Sequence, residues 1–578
     1  MSIKVYGKFV AVTTLAASMI VTGSAAQSTA APTPINPTFT AAAAFDTTAP
    51  LSQLAAAQKA TSSGATAKAR DGFEDRDAPG ARKVAAAQAP TEEVQTAVGT
   101  GAVPLTTANF EGLSNQDNFN VLGRRVNPPD PVGDVGPRHY VEMINVTFAV
   151  YSKNGPLLLG PLSLGSLWAG FAVDECAESS GDPIVIYDQM ADRWILTQFT
   201  TRGADFPNEP ANPFYNCVAI STTGDPTGSY FRYAFTTGFN FPDYPKYGVW
   251  QDAYIVTTRE FGAVDESIYG IGVYGLEREK MIAGDPTARA VGFLLEDDRV
   301  PISQIGDGLL PPDIDGTRLP RRDVPAPVIG TQDDGGPYGA ASDALNIWEF
   351  DVDWGVSPMA SIGLKAQLPV AAFDSIFPCA PTARDCLPQP GITDPAQFLD
   401  ILSYRQRPTW RLAYRIVDGV ETMVTNQSVE ALPGQAGVRW YEIRRNDRGV
   451  YKLRQQGTFA PADGVHRWMG SAAMDRKGNL AVGYSVVSAT DVFPGIRYTG
   501  RRAGDRLGRL TLGEGTVVTG TGVQTTTNSR WGDYTSLNLD PVDDCTFWYV
   551  NQYYTAAGQA SSPAGWQTRI ASFKLPGC

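Results

Sequence analysis

Histidine is nearly absent: His139 and His466 are the only two in 578 residues. Multi-His metal centres and nucleophile–base triads have little to draw on. The chain also has no CxxC pair, no G-x-S-x-G elbow, and no glycine-rich phosphate loop between a strand and a helix. Zinc ribbons, serine-hydrolase elbows and nucleotide cradles are excluded on those grounds. After the first 26 residues no apolar run approaches the ~20 residues of a membrane helix. Basic tracts with interleaved aromatics are missing as well, and a formal charge of −13 repels phosphate backbones. Neither a nucleic acid nor membrane insertion is expected.

What is present begins with an address. Lys4 and Lys8 form a positive region, Phe9 to Val21 is a short apolar stretch, and Ser24-Ala25-Ala26 offers the small residues of a cleavage site. Residues 1–26 read as a signal peptide, placing the chain outside the cell or in the periplasm. Six cysteines suit an oxidising compartment. Chain order suggests Cys176–Cys217, Cys379–Cys386 and Cys545–Cys578, one of ~15 possible connectivities. Residues 27–105 are mostly Ala, Thr, Ser, Pro and Gln, a composition too poor in apolar surface to offset chain entropy. They read as a low-complexity linker or pro-segment. A short helix near Leu51–Lys59 would have nothing obvious to pack on.

From residue 106 to 578 short runs rich in Val, Ile, Tyr, Phe and Trp alternate with Gly, Pro, Asp and Asn turns, and helical periodicity nearly vanishes. Two stretches are versions of one another. Arg467-Trp468-Met469-Gly470 leads to Asp475, a turn and Leu480-Ala481-Val482-Gly483-Tyr484. Arg530-Trp531-Gly532-Asp533-Tyr534 leads to Asp540, a turn and Cys545-Thr546-Phe547-Trp548-Tyr549. Nine residues run from Asp to Tyr in both copies. Ile184–Tyr187 and Trp194–Phe199 repeat the same strand, Asp, turn, strand pattern. The period predicts an all-β fold, a β-propeller of about seven blades with long insertions at Glu277–Ala340 and Pro369–Pro408. A large β-sandwich is the structural rival. Trp566–Leu575 is expected to close the ring within the last blade.

In such an array the segments leading into the innermost strands converge at one end of a channel. They include Asp130 to Asp134, Gly181-Asp182, Tyr244-Pro245-Lys246, His466-Arg467-Trp468 and Arg530 to Tyr534. Glycosidic chemistry needs paired carboxyls, and sugars dock on aromatic faces. Asp134, Asp182 and Asp533, aided by His466, are therefore the catalytic candidates. Arg467, Trp468, Arg530, Trp531, Tyr534 and Lys246 are the binding candidates. Asp130 and Asp134 could hold Ca²⁺, as could Asp313-Ile314-Asp315-Gly316 or Asp333-Asp334-Gly335. The plainer alternative is that Asp and Gly cap turns and Arg–Trp pairs pack. The expected function is a secreted monomer that recognises a glycan or other extracellular polymer at the funnel. The alternatives are a carbohydrate-active hydrolase or lyase, and a protein-binding scaffold. A catalytic site requires two carboxyls about 5–10 Å apart in an open pocket.

Two resemblances accompany these readings. Ser221-Thr222-Thr223-Gly224-Asp225-Pro226-Thr227-Gly228-Ser229-Tyr230 resembles a loosened Asp-box of sialidase-type propellers, with one extra residue between Asp225 and Gly228. Most of Pro128–Cys578 resembles a functionally uncharacterised family of secreted bacterial proteins. The phrases that carry this are Pro129-Asp130-Pro131-Val132-Gly133-Asp134-Val135-Gly136-Pro137, the two Arg-Trp segments, and Asp540-Pro541-Val542-Asp543-Asp544-Cys545-Thr546-Phe547-Trp548-Tyr549. That likeness implies export and an all-β fold.

Overall fold

The computed structural model describes residues 35–61, 92–201, 212–262, 269–296, 299–336, 338–377, 385–401, 406–526 and 529–578. The expected signal peptide and Cys379 lie outside the described residues. The fold is all-β, and its strands form successive antiparallel meanders. Sheet 1 contains Val132–Val135, His139–Ile144, Thr147–Ser152 and Leu157–Ser163. Sheet 2 contains Val185–Asp188, Arg193–Phe199, Phe214–Ser221 and Tyr230–Gly238. Sheet 3 runs from Asn240–Val249 through Ala253–Gly262 and Tyr269–Glu277 to Arg289–Glu296. Sheet 4 holds Ala326–Gln332, Ala344–Asp353 and Met359–Pro369. Sheet 5 holds Thr409–Val417, Val420–Leu432, Gln435–Arg445 and Tyr451–Phe459. Sheet 6 holds His466–Met474, Leu480–Val487, Gly495–Arg501 and Gly515–Val518, and sheet 7 holds Ser536–Leu539, Thr546–Tyr554 and Trp566–Lys574. The short strand Pro312–Ile314 lies between sheets 4 and 5. It pairs in parallel with Thr409–Val417, and Leu310 just before it bridges Ile329.

The first strands touch in chain order from sheet 1 onward, with Pro312–Ile314 standing in for sheet 4, and Ser536–Leu539 of sheet 7 touches Val132–Val135 of sheet 1. Side chains bond across these steps. Ser536 Oγ donates to the carbonyl of Gly133, Asp134 Oδ2 accepts from the backbone N–H of Tyr187, Asp313 Oδ1 accepts from that of Val249, and Ser471 Oγ from that of Leu537. Neighbouring sheets pack on one another, and buried inner strands lose the alternation of a half-exposed sheet. Every residue of Ala253–Gly262 is buried, whereas outlying Met359–Pro369 alternates between exposed and half-buried. The core is correspondingly a set of layers between sheets. Val424, Val438 and Trp440 meet Val482 and Tyr484 between sheets 5 and 6, and Ala481 and Ile496 meet Tyr549 and Phe573 between sheets 6 and 7.

Parts of the segment expected to be an unstructured linker are ordered. Thr38–Ala41 pairs with the outer strand of sheet 3, Ala44–Thr47 with that of sheet 2, and Val94–Gln95 with that of sheet 5. Gly101 bridges Leu512 beside sheet 6. The helix Leu51–Thr61 packs on the last strand of sheet 1 and the turn that follows, with Leu51 fully buried. Composition missed this because the segment needs no core of its own. Unpaired N–H and C=O groups at sheet edges take up any chain that lies extended along them. Ala108–Ser114 is likewise the outermost strand of sheet 7, paired with Trp566–Lys574. Trp566–Lys574, expected to come last, is therefore an interior strand of sheet 7, paired on both sides. The region Glu277–Ala340, expected to be an insertion, contains the last strand of sheet 3 and the first of sheet 4.

The disulfides Cys176–Cys217 and Cys545–Cys578 form as chain order suggests. The Asp-box-like stretch is the turn between the third and fourth strands of sheet 2, where Asp225 Oδ1 accepts from the N–H and hydroxyl of Thr227. Among the described residues no helix is long and apolar enough to cross a membrane.

Candidate functional site

Five non-glycine residues within or just ahead of first strands are in the left-handed region. These are Asp130 (φ 44), Asp182 (φ 44), Tyr244 (φ 52), Gln406 (φ 45) and Met469 (φ 49). Such backbone costs on the order of 1 kcal/mol or more at each position and persists only where surroundings over-determine it. Here neighbouring segments hold one another. The N–H of Asp533 donates to Asp130 Oδ1 at 2.7 Å, and Asn145 Nδ2 donates to Asp130 Oδ2 at 2.5 Å. Asn145 Oδ1 then accepts from the N–H of Asp182 at 2.9 Å, and Asp182 Oδ2 from the N–H of Tyr244 at 3.2 Å. One hydrogen-bonded chain thus crosses sheets 7, 1, 2 and 3.

Lys246 is at the centre of this chain and fully buried. Its Nζ lies 3.3 Å from the ring centroid of Tyr244 and 4.0 Å from that of Tyr534, and it donates to the carbonyl of Pro245. The Arg407 guanidinium covers Tyr244 at 3.7 Å. Arg530 pairs with Asp533 at 2.7 Å and with Asp400 at 3.3 Å. Burial lowers the Lys246 ammonium to about 7 against the opposing pull of Asp182, Asp533 and Asp130. Burial, then the Asp533 charge, raises Asp130 to about 7. Asp182 is pushed well up by burial and by Asp130 and Asp243. Asp182, Asp243 and Arg530 remain only partly covered.

Of the sequence candidates, Asp182, Asp533, Lys246, Arg530 and Tyr534 come together with Asp130. Asp134 does not. It lies inside the first strand of sheet 1, with Oδ1 and Oδ2 taken by the N–H groups of Val135 and Tyr187. Burial and Asp313 raise it to about 7. Asp313 and Asp315 do not form a calcium loop, because Arg411 fills their oxygens at 2.9 and 2.6 Å. Asp130 and Asp134 hold separate partners, the first the N–H of Asp533 and Asn145 Nδ2, the second the N–H groups of Val135 and Tyr187.

Trp468 and Trp531 are not sugar platforms. Both are fully buried, their rings 5.0 Å apart, and a stacking platform needs an open face. Tyr534 is also fully buried and serves as the floor under Lys246. Arg467 is fully buried between Asp463 and Glu514. His466 is buried, its Nδ1 accepts the N–H of Ala436, and burial lowers it to about 4. That leaves a neutral imidazole with a packing role. Sequence reasoning missed Asn145, Asp243, Arg407 and Arg411, which lie outside the repeated phrases. The one available signal was Asp243, adjacent to Tyr244-Pro245-Lys246.

No protein-family model matches the chain, and no curated protein does. Among solved structures it is similar to an endo-arabinase from Bacteroides thetaiotaomicron, at 11% identity over 57% of this chain and 95% of that one, with a TM-score of 0.25. It is also similar to an alpha-L-arabinanase from Penicillium chrysogenum, at 10% identity over 67% and 90%, with a TM-score of 0.30. A third is an endo-1,5-alpha-L-arabinanase from Thermotoga petrophila, at 10% identity over 77% and 98%, with a TM-score of 0.24. Overlaps this loose carry no argument, and any functional reading rests on this chain's own geometry.

Proposed function

We propose that this is an exported, monomeric β-propeller of seven blades, spanning residues 106–578 and girdled by its N-terminal segment, that binds a polyhydroxylated polymer such as a glycan. The blades are sheets 1 to 7, with Pro312–Ile314 as the innermost strand of the fourth. The order of contacts between first strands supports a closed ring. One observation carries the binding reading. The segments leading into the first strands fix Asp130, Asp182 and Asp533 around Lys246 while leaving Asp182, Asp243 and Arg530 partly open. Carboxylates accept from sugar hydroxyls and a guanidinium donates to them, and groups held this rigidly lose little freedom on binding. The test is a glycan array probed with the mature protein, with and without calcium. Binding is expected, and Asp182→Asn and Arg530→Ala are each expected to weaken it at least tenfold. Absence of binding to every glycan would overturn the reading.

A hydrolase reading has one observation in its favour: burial, then Asp130 and Asp243, pushes the Asp182 carboxyl well above the ordinary carboxylate range, the direction a general acid needs. The two readings part on a single variant. Asp182→Asn in a hydrolase abolishes turnover of a bound glycan but spares its binding, whereas in a binding protein it weakens the binding itself.

A further inference from the structure

Three carboxylates of sheet 4 converge outside the Lys246 cluster. Asp333, Asp334 and Asp343 each offer an oxygen, and these oxygens lie within 4.8 Å of one another. They belong to the loop between the first two strands of sheet 4. The same carboxylates organise the chain leaving sheet 4. Asp343 accepts the N–H groups of Asp334 and Phe373, and Asp333 accepts those of Gly335 and Ser375.

A second observation is independent of the acids. Gln406, in the segment leading into sheet 5, is fully buried, and neither polar atom of its carboxamide has a hydrogen-bond partner among the described residues. Its Oε1 points at the Asp333–Gly336 turn. A Cβ placed on Gly336 would lie 2.3 Å from that oxygen and 3.2 Å from Asp333 Cβ. A buried amide left unpaired costs about 1–3 kcal/mol, and a cation at this acidic turn would give the carbonyl a partner.

We propose that Asp333, Asp334, Asp343 and Gln406 form a Ca²⁺ site that fastens the crossing from sheet 4 to sheet 5. Calcium takes six to eight oxygens in irregular geometry, so three carboxylates, one carboxamide and water make a fitting shell. Magnesium, which demands near-octahedral ligands, suits it poorly. Asp334 is exposed, so the site faces the external medium, where calcium reaches millimolar levels.

The test uses the full mature chain and calcium alone, read by titration calorimetry and thermal unfolding. One site with a dissociation constant of roughly 0.1–1 mM is expected. Saturating calcium is expected to raise the melting temperature by roughly 2–4 °C. Asp334→Asn removes an exposed ligand with little risk to folding and is expected to weaken binding at least tenfold. Gln406→Leu should weaken it as well, whereas Asp130→Asn should leave it intact. The proposal fails if calcium produces neither heat nor a melting shift, if Asp334→Asn binds as tightly as the parent, or if magnesium binds equally well. None of these outcomes depends on glycan binding.

Discussion

The backbone N–H of Asp533 donates to Asp130 Oδ1 at 2.7 Å across 403 residues of chain, tying the segment that leads into the last sheet to the one that leads into the first. Asp130 is 1% exposed, and its other oxygen accepts from Asn145. Asp130→Ala would leave both donors buried without an acceptor, at a cost of about 2–4 kcal/mol. Asp130→Asn keeps one carbonyl oxygen for Asp533 and removes a buried charge, so it is expected to cost markedly less. Chemical denaturation of the two variants checks this order, and equal losses would mean that the hydrogen bonds do not hold the junction.

Trp468 and Trp531 are expected to matter for stability and not for ligand. Both rings are buried against each other, and Trp531 Nε1 also donates to Ser485 Oγ. Truncating either to Ala should cost about 3–5 kcal/mol. Glycan affinity of the remaining folded protein should be unchanged, while Asp182→Asn should show the opposite profile. Affinity and denaturation measured on the same three variants separate wall from site.

These contrasts show what sequence could and could not convey. The repeated Arg-Trp phrases identified real first strands in sheets 6 and 7, because a strand, turn and strand leave an alternating pattern that survives divergence. Adjacency in that repeat also brought Asp182, Lys246 and Asp533 to one place. The same phrases said nothing about orientation, so tryptophans that face inward were read as platforms. Asp134 was misplaced because it lies inside a strand rather than ahead of it, at a rise of about 3.3 Å per residue. The N-terminal strands were illegible for a different reason. Thr38–Ala41 and Ala44–Thr47 are recruited through backbone bonds to sheet edges, which demand no side-chain pattern. Asn145 and Arg407 belong to no repeat, and only the folded chain brings them to the cluster.

The N-terminal segment is expected to be an integral part of the fold. Leu51 is fully buried beneath the end of sheet 1, and Asp46 forms a two-pronged ion pair with Arg232 at 2.6 Å. Leu51→Ala should cost about 2–5 kcal/mol by the cavity it leaves. Removing residues 35–61 should additionally bare the outer edges of sheets 2 and 3 and promote association. Size-exclusion chromatography and denaturation of both variants test this, and a truncated protein that stays monomeric with unchanged stability would refute it.

Stability should fall as pH rises through the slightly acid range. Burial is the largest cause that raises each of Asp134, Glu142 and Glu260 to about 7. Their unfolded values are 3.8 for the aspartate and 4.5 for the glutamates. Between those values and about 7 the folded protein keeps protons that the unfolded chain releases, so the stabilisation present below pH 4 is lost as pH passes 7. His466, lowered to about 4, works in the opposite direction, because the unfolded chain binds its proton first. Lys246, lowered to about 7 chiefly by burial, also works in the opposite direction above that pH. The raised carboxyls, which include Asp130 and Asp374 at about 7, outnumber these two groups, so the melting temperature should be higher at pH 5 than at pH 8. Glu142 provides the specific control. Gln at that position can keep its carbonyl oxygen on the Leu113 N–H and turn its amide nitrogen to the Thr568 hydroxyl, which can donate to the Leu113 carbonyl instead, and it cannot titrate. Glu142→Gln should therefore fold and show a smaller difference between pH 5 and pH 8 than the parent. An unchanged difference would mean that the Glu142 carboxyl is already ionised in the folded protein at pH 5.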